Sequence, residues 1–154
     1  MAIRNIFKEG EPILRKQARP VEVFDEKLHL LLDDMWETLA AADGAGLAGN
    51  QVGVLKQVCL LWIDDEKLEL VNPVIISESK ETCTEYEGCL SIVDSKGNLL
   101  YDKVERPKEV TVKFFDRFGK SQKKKLKGFM ARCACHEIDH LHGILYTDRI
   151  SVKD

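Results

Sequence analysis

The 154-residue sequence predicts an α+β fold: antiparallel sheets packed around a central helix near the C-terminus, with a second helix near the N-terminus. Three observations predict it. Apolar residues recur at helical spacing within residues 25–42. A second helical stretch, 128–142, stops at Gly143. Between the two lie several short strand-like runs separated by turn signals. No repeat, linker or low-complexity tract divides the chain, so residues 1–154 read as one domain, long enough to bury a core.

Taken in order, the first helix carries Leu28, Leu31, Leu32, Met35 and Leu39 on one face. Asp25 is its expected N-cap, and Gly44 lies just past its end. Residues 44–53 contain four glycines and are expected to form a constrained loop. Lys56 to Ile63 reads as a buried strand, and Leu68 to Val71 and Val74 to Ser77 as shorter strands interrupted at Asn72-Pro73. Thr82 to Tyr86 is a further strand, and residues 94–104 read as a connection. Val110 to Phe115 alternates as a strand, and Asp116-Arg117-Phe118-Gly119 turns it into a hairpin partner.

Composition narrows the function classes. Hydrophobic residues at 44% and charged residues at 32% are ordinary for a globular protein. The net charge of −3 provides no global basic field, so DNA is not an expected partner. The longest apolar stretch, Val58 to Ile63, is far short of a membrane span, and no apolar leader opens the chain; a cytoplasmic location is expected. Five cysteines (59, 83, 89, 133 and 135) in such a setting point to metal or packing roles rather than disulfides.

The chemistry-bearing segment is His136-Glu137-Ile138-Asp139-His140. On a helix, the four-residue spacing puts both imidazoles on one face, where they can bind one divalent cation. Glu137 is rotated by roughly 100° from His136, out of ligand position but within reach of a water at the metal. A hydrolytic site needs a third protein ligand. Only 14 residues follow His140 and none is Glu, and Tyr146 stands where one class of HExxH protease has a third His, so the third ligand is expected upstream. Cys133 lies three residues before His136, but three ligands from one short helix would strain a tetrahedral site; it is expected to line the pocket instead. Cys89, in Glu87-Gly88-Cys89-Leu90-Ser91, is the better candidate, because Gly88 permits close backbone approach. A thiolate with two imidazoles suits iron(II), zinc, nickel or cobalt. Cys135 is expected to be packed, His142 to be exposed or a helix cap, and His29 to be structural.

The segment Gly44-Ala45-Gly46-Leu47-Ala48-Gly49-Asn50-Gln51 lacks the Lys-Ser/Thr of a phosphate loop. Its small residues could let a peptide backbone lie alongside, and Gln51 could polarise a carbonyl oxygen. Together with Glu87-Gly88-Cys89-Leu90-Ser91 and His136-Glu137-Ile138-Asp139-His140-Leu141-His142-Gly143, this segment resembles the three ordered signatures of the bacterial peptide deformylases: GxGLAxxQ, EGCLS and HExDHLxG. The resemblance covers about residues 3–150. It implies that Cys89, His136 and His140 bind the metal, iron(II) in many members and often replaced by zinc, nickel or cobalt. Glu137 would be the general acid/base for a metal-activated water, and Gln51 and the Leu90 N–H would hold the oxyanion. Gly44, Ala45, Gly46 and Gly88 would line the substrate, the N-formyl group of a nascent polypeptide, with Cys133 and Phe129 in an apolar pocket for the methionine side chain.

Several positions depart from the family pattern. Gly49 replaces a usual Ala, which predicts a looser loop; Cys135 replaces Gln or Asn; Val93 replaces a proline. Lys96 is a possible equivalent of a basic substrate contact in the 94–104 connection. Lys120 to Lys127 holds five lysines in eight residues, read as a solvated hairpin edge, with transient ribosome contact as the sharper alternative. An internal peptidase would need a ligand downstream of His140, and a non-enzymatic descendant would have lost Glu137, Gln51 or a ligand; the sequence fits neither.

Overall fold

The computed structural model describes residues 2–151. Helix α1 spans Glu26–Ala42, and Asp25 caps it, its carboxylate accepting from the Leu28 N–H at 3.1 Å. Asp43 ends the helix in the left-handed region (φ 54°), ahead of Gly44. Among the described residues seven strands follow: β1 Gly46–Ala48, β2 Val58–Ile63, β3 Glu66–Glu78, β4 Thr82–Val93, β5 Leu99–Pro107, β6 Glu109–Phe115 and β7 Ser121–Lys127. Helix α2 spans Gly128–Leu141, with His142 as its C-cap.

Five strands form one antiparallel sheet in the order β1-β2-β3-β6-β7, and β4 and β5 form a separate hairpin. The sheet is covered on both faces along β2. Val58 and Leu60 join Leu28, Leu32, Met35 and Leu39 of α1, while Cys59 and Leu61 join Ala134, Ile138 and Leu141 of α2. Successive strand residues point to opposite faces, which is why this strand is apolar without a break. Helix α2 is thus central, with the large sheet on one side and β4 on the other. The antiparallel sheets, central α2 and N-terminal α1 are the α+β arrangement that the sequence predicts.

Four expectations need correction. Residues 68–77 are one strand, not two. Asn72 takes a left-handed conformation (φ 52°), and its side-chain amide pairs with the backbone of Val21 at 2.7 and 2.9 Å, so the ladder shifts register there and continues. The strand expected at 82–86 runs to Val93, and the 94–104 connection is mostly β5: only a tight turn joins them, where Asp94 Oδ1 accepts from the N–H groups of Lys96 and Asn98. The glycine-rich stretch is not loop throughout, since β1 pairs with β2 and residues 49–52 form a 3-10 turn. Nor is Gly49 loose. A Cβ there would stand 2.8 Å from the carbonyl oxygens of both Val54 and Lys56, so the chain packs backbone to backbone at that point.

Strand β7 is a sheet edge, and four of its seven residues are lysines, the expected device against edge-to-edge pairing. No helix among the described residues is long and apolar enough to cross a membrane.

Candidate metal centre

The two sides of α2 do different work. Ala131, Ala134, Ile138 and Leu141 enter the core against the large sheet. Arg132, His136 and His140, spaced by four, form a row on the opposite side, facing the β4–β5 hairpin. Strand β4 brings Cys89 to that row. Its ladder with β5 breaks between Gly88 and Val93, a β-bulge that releases residues 89–92 from regular pairing and turns Cys89 toward the helix.

Cys89 Sγ lies 3.3 Å from His140 Nε2, and one donor atom from each of Cys89, His136 and His140 lies within 4.8 Å of the others. All three residues are buried. His136 Nδ1 is engaged by Glu87 Oε1 at 2.9 Å, which leaves Nε2 for the cluster. Cys133 and Cys135 stay neutral thiols, because burial pushes both thiols up, that of Cys135 to about 11. Cys135 packs in the core, while Cys133 and Phe129 line the cavity beside the cluster. His142 is exposed and pairs with Gln17 at 2.9 Å, and His29 bonds the Arg117 carbonyl at 2.9 Å. Lys96 sits exposed at the hairpin turn, outside the cavity lining.

The two imidazoles of the cluster sit in different electrostatic surroundings. Burial lowers His136, but the Glu137 carboxylate, Cys89 and Glu87 outweigh it and push its pKa up to about 10. Burial and the neighbouring His136 hold His140 well below the usual imidazole value. Burial raises Glu137 to about 7. Glu137 Oε1 is buried without a partner among the described residues, and its Oε2 lies 4.0 Å from His136 Nε2. Two imidazoles and a thiol converging in a buried pocket fit a divalent cation.

Nine of the ten sequence-predicted site residues line one cavity of about 270 Å³: Gly44, Ala45, Gly46, Gln51, Gly88, Cys89, Leu90, His136 and Glu137. The tenth, His140, is buried behind Cys89. The Gln51 Oε1 accepts from the Ala48 N–H at 3.0 Å, while Nε2 donates to Ser91 Oγ at 3.0 Å and faces Cys89 Sγ at 3.6 Å. Gly46 makes room for Glu137, since a Cβ there would lie 2.5 Å from Glu137 Oε2. Gly88 makes room for the Tyr101 ring, which a Cβ would overlap.

Sequence reasoning missed the charged support behind the cluster. Glu87 accepts from Arg106 Nε at 2.9 Å and Nη2 at 3.0 Å, from Arg132 Nη1 at 2.7 Å, and from His136. Burial would raise the Glu87 carboxyl, but its bonds to His136 and Arg106 hold it at about 2. Arg106 continues to Asp139 at 2.7 Å, and Asp139 to Arg149 at 2.6 Å. Tyr146 stacks on the His136 ring, centroids 6.1 Å apart. Two signals were legible: Glu87 heads its motif, and Arg132 lies one helical turn before His136. Arg106 and Tyr146 carry none.

The comparisons with known proteins agree in one direction. The polypeptide deformylase family matches residues 3–154. A peptide deformylase of Alkaliphilus metalliredigens is 47% identical over 150 residues, covering 97% of this chain and 98% of that protein. The crystal structure of a peptide deformylase from Thermotoga maritima superposes with a TM-score of 0.93 at 36% identity, covering 99% of this chain and 100% of the other. A Met-Ala-Ser-bound class I type b peptide deformylase from Acinetobacter baumannii superposes with a TM-score of 0.91 at 33% identity, covering 97% of this chain and 99% of the other.

Proposed function

We propose, because this chain belongs to the polypeptide deformylase family of metal-dependent hydrolases, that it removes the formyl group from the N-terminal formyl-methionine of nascent polypeptides and releases formate. The observation that carries this reading is the meeting of Glu137 and Gln51 with the Cys89, His136 and His140 cluster, four of the five lining one cavity and His140 lying behind Cys89. The Met-Ala-Ser tripeptide held by the Acinetobacter baumannii relative has the form of a product of such a reaction. The reading places the protein in the cytoplasm, in transient contact with the ribosome, where formylated chains are made.

Cys89 Sγ and one nitrogen each of His136 and His140 would hold the cation, with iron(II) as the natural occupant and zinc, nickel or cobalt as substitutes. When bound, the cation supplies Lewis-acid chemistry: it polarises a carbonyl and acidifies water. The other roles fall to the chain itself. Glu137, raised by burial, takes a proton from the attacking water at its carboxylate and returns it to the departing amine. Gln51 Nε2 and the Leu90 N–H, which lies in the break of the β4 ladder, stabilise the negative charge that develops on the formyl oxygen. Gly44, Ala45, Gly46 and Gly88 leave space for the peptide backbone beside β1, as an added strand. The methionine side chain enters the part of the cavity lined by Cys133 and Phe129.

The test is formate release from formyl-Met-Ala-Ser by the iron- or nickel-loaded protein. Wild type is expected to turn over, and Glu137→Ala to lose about 10²–10⁴-fold in rate while still binding metal. No formate from loaded wild type would end this reading.

A further inference from the structure

Two recesses meet at three side chains. The cavity of the metal cluster, about 270 Å³, and a second recess of about 610 Å³ are both lined by Tyr86, Phe129 and Arg132. Tyr86 and Phe129 are 60% and 56% exposed and stand at the surface, whereas Arg132 is 5% exposed. Arg132 is therefore the buried part of the partition.

Its guanidinium is fixed in three directions. Nη1 donates to Glu87 Oε2 at 2.7 Å and to the Val104 carbonyl at 2.8 Å, and Nη2 donates to the Cys83 carbonyl at 2.6 Å. A buried cation is costly unless its donors are satisfied, and here one carboxylate and two carbonyls satisfy it. Such a side chain cannot swing aside as an unbonded apolar residue could, because leaving would strand the buried cation and take one of its bonds from Glu87.

We propose that Arg132 sets the depth of the pocket for the substrate's N-terminal side chain and stops that side chain short of the second recess. The inference rests on the deformylase reading and adds to it a determinant of substrate choice. A side chain of methionine length fits in front of the pinned guanidinium. A longer linear one meets a wall that cannot yield. The same Glu87 carboxylate receives His136 Nδ1, so one group holds both the pocket wall and a ring of the metal cluster.

The test compares formyl-Met-Ala-Ser with its 2-aminodecanoyl analogue, whose linear side chain is twice as long. Two quantities are read: the ratio of kcat/KM values, and the ratio of calorimetric Kd values for the two deformylated tripeptides. Wild type is expected to prefer methionine by about tenfold or more, the low end of what even one ill-fitting methylene costs. Arg132→Ala joins the recesses, and both ratios fall by about fivefold or more. Arg132→Met keeps the bulk of the stem without the three bonds and gives ratios between the two; it decides the matter if the alanine variant does not fold. Ratios within about twofold of wild type in the folded variants would overturn the assignment of Arg132 alone, a change too small for even one methylene. A wild type that neither releases formate nor binds Met-Ala-Ser would overturn the functional reading and this inference with it.

Discussion

Glu87 Oε1 lies 2.9 Å from Nδ1 of His136, and this contact determines which nitrogen of the ring faces Cys89 and His140. The carboxylate is held by two arginines on its other lone pairs, so it cannot rotate to present a different geometry. A ring fixed in this way meets a cation without a search for its tautomer.

Glu87→Gln is expected to keep the volume but remove the charge that orients His136. Metal affinity should weaken by about 10–100-fold, as for other partners of metal-bound histidines. Competition with a chromogenic chelator measures it, and an unchanged affinity would show that the ring is oriented by packing against Tyr146 instead.

Cys89→Ala should abolish stoichiometric metal binding, while Cys135→Ala should leave it intact, because only the first sulfur lies in the cluster. Metal content after gel filtration reads the difference. Equal loss in both would place the third ligand elsewhere.

Gly49→Ala is expected to destabilise the protein by about 1–3 kcal/mol through overpacking, since its Cβ would press on two backbone carbonyls that have no rotamer to change. Urea unfolding checks this. A neutral or stabilising effect would restore the looser loop that the sequence alone predicts.

Asp34 ties the N-terminal segment to α1, accepting from the Ala2 N–H at 2.7 Å and from Arg4 Nε at 3.0 Å. Burial raises this carboxyl, but the bonds from Ala2 and Arg4 outweigh it, and its pKa lies below the ordinary value. A carboxylate depressed on folding stabilises above its unfolded pKa of about 3.9 and loses that contribution as pH falls through the folded value. Asp34→Asn should therefore cost about 1–2 kcal/mol at pH 7 and progressively less below pH 4. Denaturation of both proteins across this range tests the sign; a gap that widens in acid would contradict it.

The legible parts of the fold were those with a local period. Helix α1 announced itself through Leu28 to Leu39 and Asp25, and α2 through its His-Glu-His spacing. Strand β5 was hidden because its residues alternate poorly, with Tyr101, Asp102 and Lys103 in succession, and its pairing with β4 is set by a turn five residues long. Asn72-Pro73 looked like an end because the compensating contact, with Val21, comes from far away in sequence. The three cluster residues were readable from chemistry, since few arrangements of Cys and His suit a metal site. Arg106 was not, because its importance comes only from the carboxylates that it meets across the hairpin.

The cavity is assembled from residues 44–51, 86–90 and 129–137, and Leu145 and Tyr146 pack behind Cys89. None of these stretches makes a partial site by itself. A copy still under synthesis therefore lacks the backing of its cavity until residue 146 has been added and folded back.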